Sequence, residues 1–248
     1  MAGLAVFFSP CLASADSVFS NTFEKSDPRI ADGVLNFWTL QQYPDVQNTE
    51  AFTEGNRLNL VAANQPFARV SMVSPTMEKF GFFARPITVT LYNIQLEAKG
   101  VPENEARFKL SLASSPVTAE QAQVVISLRV RPGLLLFGYR TEGFSMKEPP
   151  ETLSGKQTKS VAAIPVKGVP AKIALTLGPS SREGFVRYEI YALSDGIPVT
   201  GSGNIPLTKA QWGGSDAASL IVDVRRDSQT DIYGSHAKLS VEEITATR

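Results

Sequence analysis

The chain has very little of the residues that build most catalytic and metal centres. Its 248 residues include one cysteine, Cys11, and one histidine, His236. A zinc site with several histidines or cysteines is therefore excluded, as is a disulfide within the chain. Any imidazole-based triad would depend on His236, and its neighbour Ser235 does not qualify as the nucleophile because adjacent side chains on a strand diverge. We interpret His236 as the entry to a strand.

The sequence also lacks an excess of charge and a long hydrophobic run. The 24 Lys and Arg equal the 24 Asp and Glu, so the formal net charge is zero. This balance predicts no broad positive field for nucleic acid or for an acidic membrane surface. No segment is apolar over the roughly 20 residues that a transmembrane helix needs. We therefore predict neither a nucleic-acid partner nor a membrane span.

The first 15 residues have the character of an export signal. They carry no charge, include a short apolar stretch and end in Ala13-Ser14-Ala15, which fits a signal-peptidase site. Cleavage there would also remove Cys11. A buried N-terminal strand is the alternative. We predict a signal peptide over 1–15, a single domain over 16–248, and a secreted or periplasmic location.

Apolar and polar residues alternate in strand-length segments throughout the chain. From Val124 to Val130 every second residue is apolar, whereas Arg129 and Arg131 lie on the opposite face, which is the period of a strand. Turn-forming pairs such as Asp195-Gly196 separate these segments. Only Pro206–Trp212 has a helical pattern, and it is short. The sequence predicts an all-β, antiparallel β-sandwich with one short helix at most.

Thirteen segments have the character of strands. The alternation changes phase within Ile87–Glu97 and again within Ala237–Thr247, and we expect a β-bulge near Tyr92-Asn93 to absorb the first change. The candidate strands are Ser17–Phe23, Val34–Leu40, Arg57–Val61, Ala68–Val73, Ile87–Glu97, Ala106–Ala113, Gln123–Arg131, Leu134–Thr141, Ser160–Ile164, Ala171–Leu177, Phe185–Leu193, Ser219–Arg225 and Ala237–Thr247.

Several of these elements follow one another in a familiar order. The run Glu54-Gly-Asn-Arg-Leu-Asn-Leu60 precedes the long strand Ile87–Glu97, the hairpin Lys172–Leu193, the turn Asp195-Gly196 and the terminal strand Leu239–Thr247. This order resembles the concanavalin A-like and laminin-G-like jelly rolls of secreted polysaccharide-active proteins. The resemblance implies two stacked, curved sheets with a concave face that often holds glycan.

The catalytic patterns of that superfamily are not present in the sequence. There is no Glu-x-Asp-x-x-Glu strand of the glucanase branch. The arginine-rich, glutamine-histidine and tyrosine-lysine strands of the alginate-cleaving branch are missing as well. The resemblance therefore assigns no catalytic residue.

The polar strand faces and one tryptophan are candidates for ligand binding. Arginine offers a planar fork of donors, a carboxylate accepts hydrogen bonds from hydroxyl groups, and an aromatic ring can stack on a sugar. A solvated sheet with cross-strand ion pairs is the alternative, and Trp212 can equally plug one end of the sandwich. The candidates are Arg129, Arg131, Arg187, Glu189, Tyr191, Trp212, Asp223 and Arg225.

One loop resembles part of a calcium site. Asp227, Gln229 and Asp231 place oxygen atoms at alternate positions, but the glycine and the terminal glutamate of an EF-hand are missing. A solvated turn is the alternative. Calcium at Asp227 and Asp231 is thus the one cofactor that the sequence leaves open.

Three functions are compatible with these patterns. The first is a secreted, non-catalytic carbohydrate-binding or cell-surface interaction module. The second is a polysaccharide-cleaving, glycoside hydrolase-like enzyme that uses carboxylates such as Glu189 and Asp223, which would have to lie about 5–9.5 Å apart across one cleft. The third is a structural envelope protein without a small ligand.

Overall fold

The computed structural model describes residues 16–31, 34–43, 48–101, 106–114, 122–129, 133–140, 158–214, 217–227 and 233–248. The predicted signal peptide and two candidate site residues, Arg131 and Asp231, lie outside these ranges. The extent of the predicted single domain stays a prediction.

Strands dominate the described part of the chain. The one helical element found there is a single 3-10 turn over Glu78–Phe80, and within the same ranges no helix is long and apolar enough to cross a membrane. The strands are β1 (Ser17–Asn21), β2 (Ile30–Ala31), β3 (Val34–Leu35), β4 (Thr39–Tyr43), β5 (Thr49–Glu54), β6 (Arg57–Ala63), β7 (Arg69–Val73), β8 (Ile87–Tyr92), β9 (Gln95–Lys99), β10 (Ala106–Ser114), β11 (Gln123–Arg129), β12 (Leu134–Arg140), β13 (Thr158–Pro165), β14 (Pro170–Pro179), β15 (Phe185–Ser194), β16 (Ile197–Pro206), β17 (Ala218–Arg226), β18 (His236–Val241) and β19 (Glu243–Thr247).

The strands form three main sheets and one small hairpin. The six-stranded sheet has the order β1-β19-β8-β14-β15-β16, and the seven-stranded sheet has the order β13-β12-β11-β10-β17-β7-β4. The four-stranded sheet is β5-β6-β18-β9, and β2 pairs with β3. Every strand pairing is antiparallel. The predicted all-β, antiparallel architecture is confirmed.

A hydrophobic core separates the seven-stranded sheet from the other two sheets. Phe137 on β12 stacks on Tyr188 on β15 with 4.2 Å between the ring centroids, which joins the seven-stranded and six-stranded sheets. Leu239 of the four-stranded sheet lines a small cavity together with Phe108 and Leu110 of β10. The inner face of the seven-stranded sheet is therefore apolar, as the alternation in its strands requires, and its outer face is the one that carries the alternate, polar residues.

The alternation of apolar and polar residues changes phase at both predicted places, but no β-bulge absorbs the change. The chain leaves the six-stranded sheet after Tyr92 and enters the four-stranded sheet at Gln95, and the partner strand changes sheet around Glu242. The register is the same on both sides of the break, since Ser240 pairs with Gln95 and Glu243 pairs with Tyr92. A bulge is unnecessary because both strands turn together into the next sheet.

The corner between the two sheets is held by side chains. Asn93 has a φ of 50°, a left-handed conformation that asparagine tolerates better than most residues. Its side-chain amide donates to Glu242 over 2.5 Å, and Arg57 donates to the other oxygen of Glu242 over 2.6 Å. These bonds fix the point at which the strands change sheet.

The short segment with a helical pattern, Pro206–Trp212, does not form a helix, and strand β16 continues through Pro206, which agrees with the prediction of one short helix at most. Thr208 then begins a single turn, in which its hydroxyl accepts from the backbone N–H of Gln211 over 3.1 Å. The side chain of Gln211 in return accepts from the N–H of Thr208 over 2.9 Å, which is the reciprocal pattern of a capping box. Gly213 and Gly214, both with positive φ, end the turn before a second helical turn can form.

Candidate functional site

The outer face of the seven-stranded sheet contains a polar pocket of about 200 Å³. This volume is below the roughly 300–1,000 Å³ of pockets that enclose a drug-sized ligand. The pocket can therefore receive a small part of a longer chain. Strands β7, β10, β11, β12 and β17 supply its walls, which are lined by Arg69, Arg107, Lys109, Ser111, Gln123, Val125, Ser127, Leu128, Arg129, Leu136, Phe137, Gly138, Arg140, Ile221, Asp223 and Arg225.

Four arginines stand side by side across the pocket on neighbouring strands. Arg129 on β11 pairs with Arg107 on β10, Arg107 pairs with Arg225 on β17, and Arg225 pairs with Arg69 on β7. Directly paired residues share one face of a sheet, and neighbouring strands lie about 4.8 Å apart. We call these four residues the arginine row.

A buried ion pair holds one end of the arginine row. Arg69 and Asp223 are 3% and 1% exposed, and the Nε of Arg69 contacts a carboxylate oxygen of Asp223. The hydroxyl of Ser71 donates to that same oxygen over 2.6 Å. Burial raises the pKa of Asp223, but the charges of Arg69, Lys109 and Arg225 and the Ser71 hydrogen bond outweigh it and lower the pKa below its usual 3.8. Asp223 is therefore a carboxylate at neutral pH.

A second carboxylate lies between two members of the row. Asp227 contacts the Nε of Arg107 with one oxygen and the Nε of Arg225 with the other, the latter over 2.5 Å. The Nη2 of Arg225 also donates to Asp227 over 3.2 Å. Asp227 thereby fixes the orientation of two arginines that would otherwise repel each other.

Lys109 lies two residues after Arg107 on β10 and therefore on the same face of the sheet. It pairs in register with Ser127 on one side and with Asp223 on the other. Burial lowers the pKa of Lys109 well below its usual 10.5, and the charge of Arg225 lowers it further, whereas Asp223 raises it. Burial of the amine is the main cause of this lowered pKa, and the neighbouring guanidinium adds to it.

The structure brings together three of the residues predicted as ligand candidates. Arg129, Asp223 and Arg225 line the pocket. Arg187, Glu189 and Tyr191 lie elsewhere, on β15 of the six-stranded sheet. On β15, as on the strands of the pocket, these residues alternate with residues that face the core. Each group therefore projects away from the core, and the two groups lie on opposite sides of the sandwich.

The β15 group forms an open surface. Arg187 and Glu189 have side chains that are 61% and 54% exposed, and they form an ion pair over 2.8 Å. The ammonium of Lys172 lies 5.5 Å from the centre of the Tyr191 ring. Arg187 and Glu189 lie on one strand, so their ion pair is not a cross-strand pair, and ligand binding at Arg187, Glu189 and Tyr191 stays a prediction.

Trp212 is not accessible to a ligand. It is 0% exposed and packs edge-on against Phe82, with 4.9 Å between the ring centroids. Its indole N–H donates to the carbonyl of Ala217 over 3.1 Å. Trp212 therefore closes one end of the core, which was the second interpretation of this residue, and Trp38 is likewise buried.

The calcium interpretation gains no ligand set within the described residues. Asp227 is engaged with Arg107 and Arg225, and Asp231 lies outside the described ranges. No group of three or more His, Cys, Asp or Glu among residues that the structure describes could hold a metal ion. His236 begins strand β18, as expected, and its Nε2 lies 3.0 Å from Glu97.

The pair Glu189 and Asp223 cannot flank one glycosidic bond. Glu189 lies on the six-stranded sheet and Asp223 on the seven-stranded sheet, on opposite sides of the core. Packed sheets alone are about 10 Å apart, which already exceeds the span of a glycosidase pair. Each carboxylate is also paired with an arginine, Asp223 with Arg69 and Glu189 with Arg187.

Sequence reasoning missed most of the residues that line the pocket. Arg69, Arg107, Lys109 and Gln123 all line it and were not among the candidates. A signal was available, because Arg107 and Lys109 occupy alternate positions of a predicted strand just as Arg129 does. The alternation along one strand does not reveal the order of the strands in the sheet, and it is this order that makes these residues neighbours.

Comparison with known proteins identifies the fold. No family model and no curated protein matches the sequence. Among solved structures, the winged bean acidic lectin in complex with methyl-alpha-D-galactose is similar with a TM-score of 0.54 and 9% identity, over 94% of this chain and 98% of the lectin.

Two further solved structures are similar to this chain. A seed lectin of Lotus tetragonolobus has a TM-score of 0.52 and 10% identity, over 92% of this chain and 96% of the lectin. The CBM2 module of the evolved Dit protein of Lactobacillus casei BL23 phage J-1 has a TM-score of 0.51 and 10% identity, over 94% of this chain and 95% of the module. The chain therefore has a concanavalin-like jelly-roll fold, which confirms the predicted resemblance at the level of the fold.

Proposed function

We propose that this protein is a non-catalytic carbohydrate-binding protein that holds a saccharide in the pocket on the outer face of the seven-stranded sheet. The observation that carries the proposal is the pocket itself, with donors and acceptors from several strands converging on a space of about 200 Å³. A saccharide presents many hydroxyl groups, and arginine, lysine, glutamine and carboxylate side chains complement them.

Two further facts support the proposal. Proteins of similar fold include lectins solved with galactose or with a methyl galactoside. In the pocket, the amide nitrogen of Gln123 is buried, and it has no hydrogen-bond partner among the residues that the structure describes. A buried donor without a partner is costly, and a ligand oxygen would satisfy it.

We also propose that the protein acts outside the cytoplasm, as a secreted or periplasmic protein. The proposal rests on the uncharged N-terminal segment that ends in Ala13-Ser14-Ala15. N-terminal sequencing of exported material should find Asp16 first. Exported material that begins at Met1 would contradict it.

A glycan array followed by variants tests the binding function. Arg129→Ala and Gln123→Ala should weaken retention of the glycan found by the array about tenfold to hundredfold, because each removes a donor that contacts the ligand. Arg187→Ala, on the opposite side of the sandwich, is the matched control and should bind as the unchanged protein does.

The variants distinguish binding in the pocket from binding at the β15 surface. If Arg187→Ala or Tyr191→Ala abolishes retention while Arg129→Ala does not, the saccharide binds the β15 surface and our assignment is wrong. If no glycan on the array is retained, the binding function itself is refuted.

A further inference from the structure

The pocket holds more basic than acidic side chains. Its walls contain six basic residues, and two carboxylates of the described residues, Asp223 and Asp227, contact three of them. Apart from Arg140, which has a partner of its own, five basic residues and two carboxylates give a formal excess of three positive charges. The complete chain has a net charge of zero, so the rest of the chain carries a compensating negative charge. The cations are Arg69, Arg107, Lys109, Arg129, Arg140 and Arg225.

The arrangement of these cations is unfavourable for an unliganded sheet. Like charges directly opposite each other on neighbouring strands are destabilising, and the arginine row contains three such contacts in succession. Asp223 and Asp227 offset part of the repulsion. The contacts of Asp227 are with Arg107 and Arg225, so Asp227 does not bridge the pairing of Arg129 with Arg107.

The cationic side chains of the pocket differ in how far they are exposed and in whether a carboxylate contacts them. Arg69 and Arg225 are each 3% exposed, and both are engaged with a buried or nearly buried aspartate. The side chain of Arg107 is 30% exposed, and Arg129 and Lys109 are half-buried. The first pair thus positions the row, while Arg107, Arg129 and Lys109 are the groups that a ligand can reach.

We infer that the ligand of this pocket is an acidic saccharide, whose carboxylate or sulfate groups bind Arg107, Arg129 and Lys109. The inference rests on the proposed carbohydrate-binding function and narrows it to one class of ligand. The planar guanidinium fork matches a carboxylate or a sulfate with two parallel hydrogen bonds, and such charge-assisted bonds are about twice as strong as neutral ones. A neutral sugar would leave the excess charge uncompensated.

Nucleic acid fits the same pocket less well. Binding of single strands uses exposed aromatic rings on which bases stack. Among the described residues that line the pocket, Phe137 is the one aromatic, and its ring is buried against Tyr188 in the core. The chain is also neutral overall, so it offers no broad positive field for a phosphate backbone.

Titration with chosen polymers tests the inference. Isothermal titration calorimetry would compare oligogalacturonate, which carries carboxylates, with dextran sulfate, which carries sulfates, and with neutral dextran. We expect one or both acidic ligands to bind, neutral dextran to bind at least tenfold more weakly, and affinity to fall as salt increases. Arg129→Gln and Arg107→Gln should each weaken acidic binding about tenfold to hundredfold, with Arg187→Gln unchanged.

Arg129→Gln also shows whether lost binding reflects lost folding. This variant removes a cation opposite Arg107, so its melting temperature without ligand should equal or exceed that of the unchanged protein at low salt. Arg107→Gln is less suitable as the sole test because Arg107 also contacts Asp227.

Each result has a definite meaning. Equal affinity for neutral dextran, lost in the pocket variants, would preserve the binding function and overturn the acidic specificity. A single-stranded DNA oligonucleotide is titrated alongside these polymers, and tighter binding of the DNA than of either acidic polymer would overturn the inference as well. If none of these polymers binds and the array retains no glycan, the proposed function fails together with it.

Discussion

Asp223→Asn should destabilise the protein strongly while hardly changing the shape of the side chain. Asp223 is 1% exposed and is the partner of Arg69, which is 3% exposed. Removing one partner of a buried ion pair costs about 3–5 kcal/mol, because the other charge stays buried without compensation. For a protein of this size that corresponds to a fall in the melting temperature of about 6–20 °C.

The pH dependence of stability gives a second measurement on the same residue. The folded-state pKa of Asp223 lies below its usual 3.8, so its charge stabilises the fold fully above that value. The stabilisation is lost as the pH falls from there through the folded-state pKa. The difference in unfolding free energy between the unchanged protein and Asp223→Asn should therefore be constant near neutral pH and shrink in acid.

Urea unfolding at a series of pH values measures both effects. Glu189→Gln is the matched control, because Glu189 is also paired with an arginine but its side chain is 54% exposed. Exposed pairs contribute about 0–1 kcal/mol, so this control should change little. If Asp223→Asn costs no more than Glu189→Gln, or if its effect does not diminish in acid, the buried pair does not stabilise the fold as we reason.

Two further substitutions test the packing. Trp212→Ala should cost about 3–5 kcal/mol of unfolding free energy in urea titrations, since the ring is fully buried against Phe82; a loss below about 1 kcal/mol would contradict its role as a plug. Gly203→Ala should cost about 1–3 kcal/mol because the new Cβ would lie 2.9 Å from the Tyr188 ring, which Phe137 holds in place. Gly201→Ala is the control for the latter, as its Cβ would meet the movable end of Ile164 and should cost less; equal melting temperatures for the two variants would refute the reasoning.

Much of the fold could be predicted because alternation is a local property. Strands β10, β11, β15 and β17 fall within one or two residues of their predicted bounds, except that Arg131 lies outside the described ranges. Strand β16 was missed. Its inward positions include Gly201 and Gly203, where Ile164 of the seven-stranded sheet and Tyr188 of the neighbouring strand β15 fill the space that a side chain would occupy. Side chains from other strands therefore take the place of the inward apolar residues by which β16 could have been recognised in the sequence.

The pocket was much less predictable than the strands. Arg69, Arg107, Arg129 and Arg225 come from four strands that are distant in sequence, and only the order β11-β10-β17-β7 makes them neighbours. That order results from packing across the whole core. The sequence could thus identify Arg129 and Arg225 as polar positions, but it offered no means of separating them from Arg187, which occupies the same kind of position in the other sheet.

The arginine row also bears on the third hypothesis, a structural envelope protein. A sheet face that serves only the fold gains stability when opposite charges meet across strands. On the β15 surface, Arg187 and Glu189 form an exposed ion pair along one strand and lie opposite the uncharged Asn204 and Ser202 of β16. On the seven-stranded sheet, Arg129, Arg107 and Arg225 instead face one another in register, and Asp227 reaches only the last two. If the proposed acidic ligand binds here, its charge would offset this repulsion and stabilise the folded protein. The charge distribution of this face therefore favours the proposed binding role over a purely structural one.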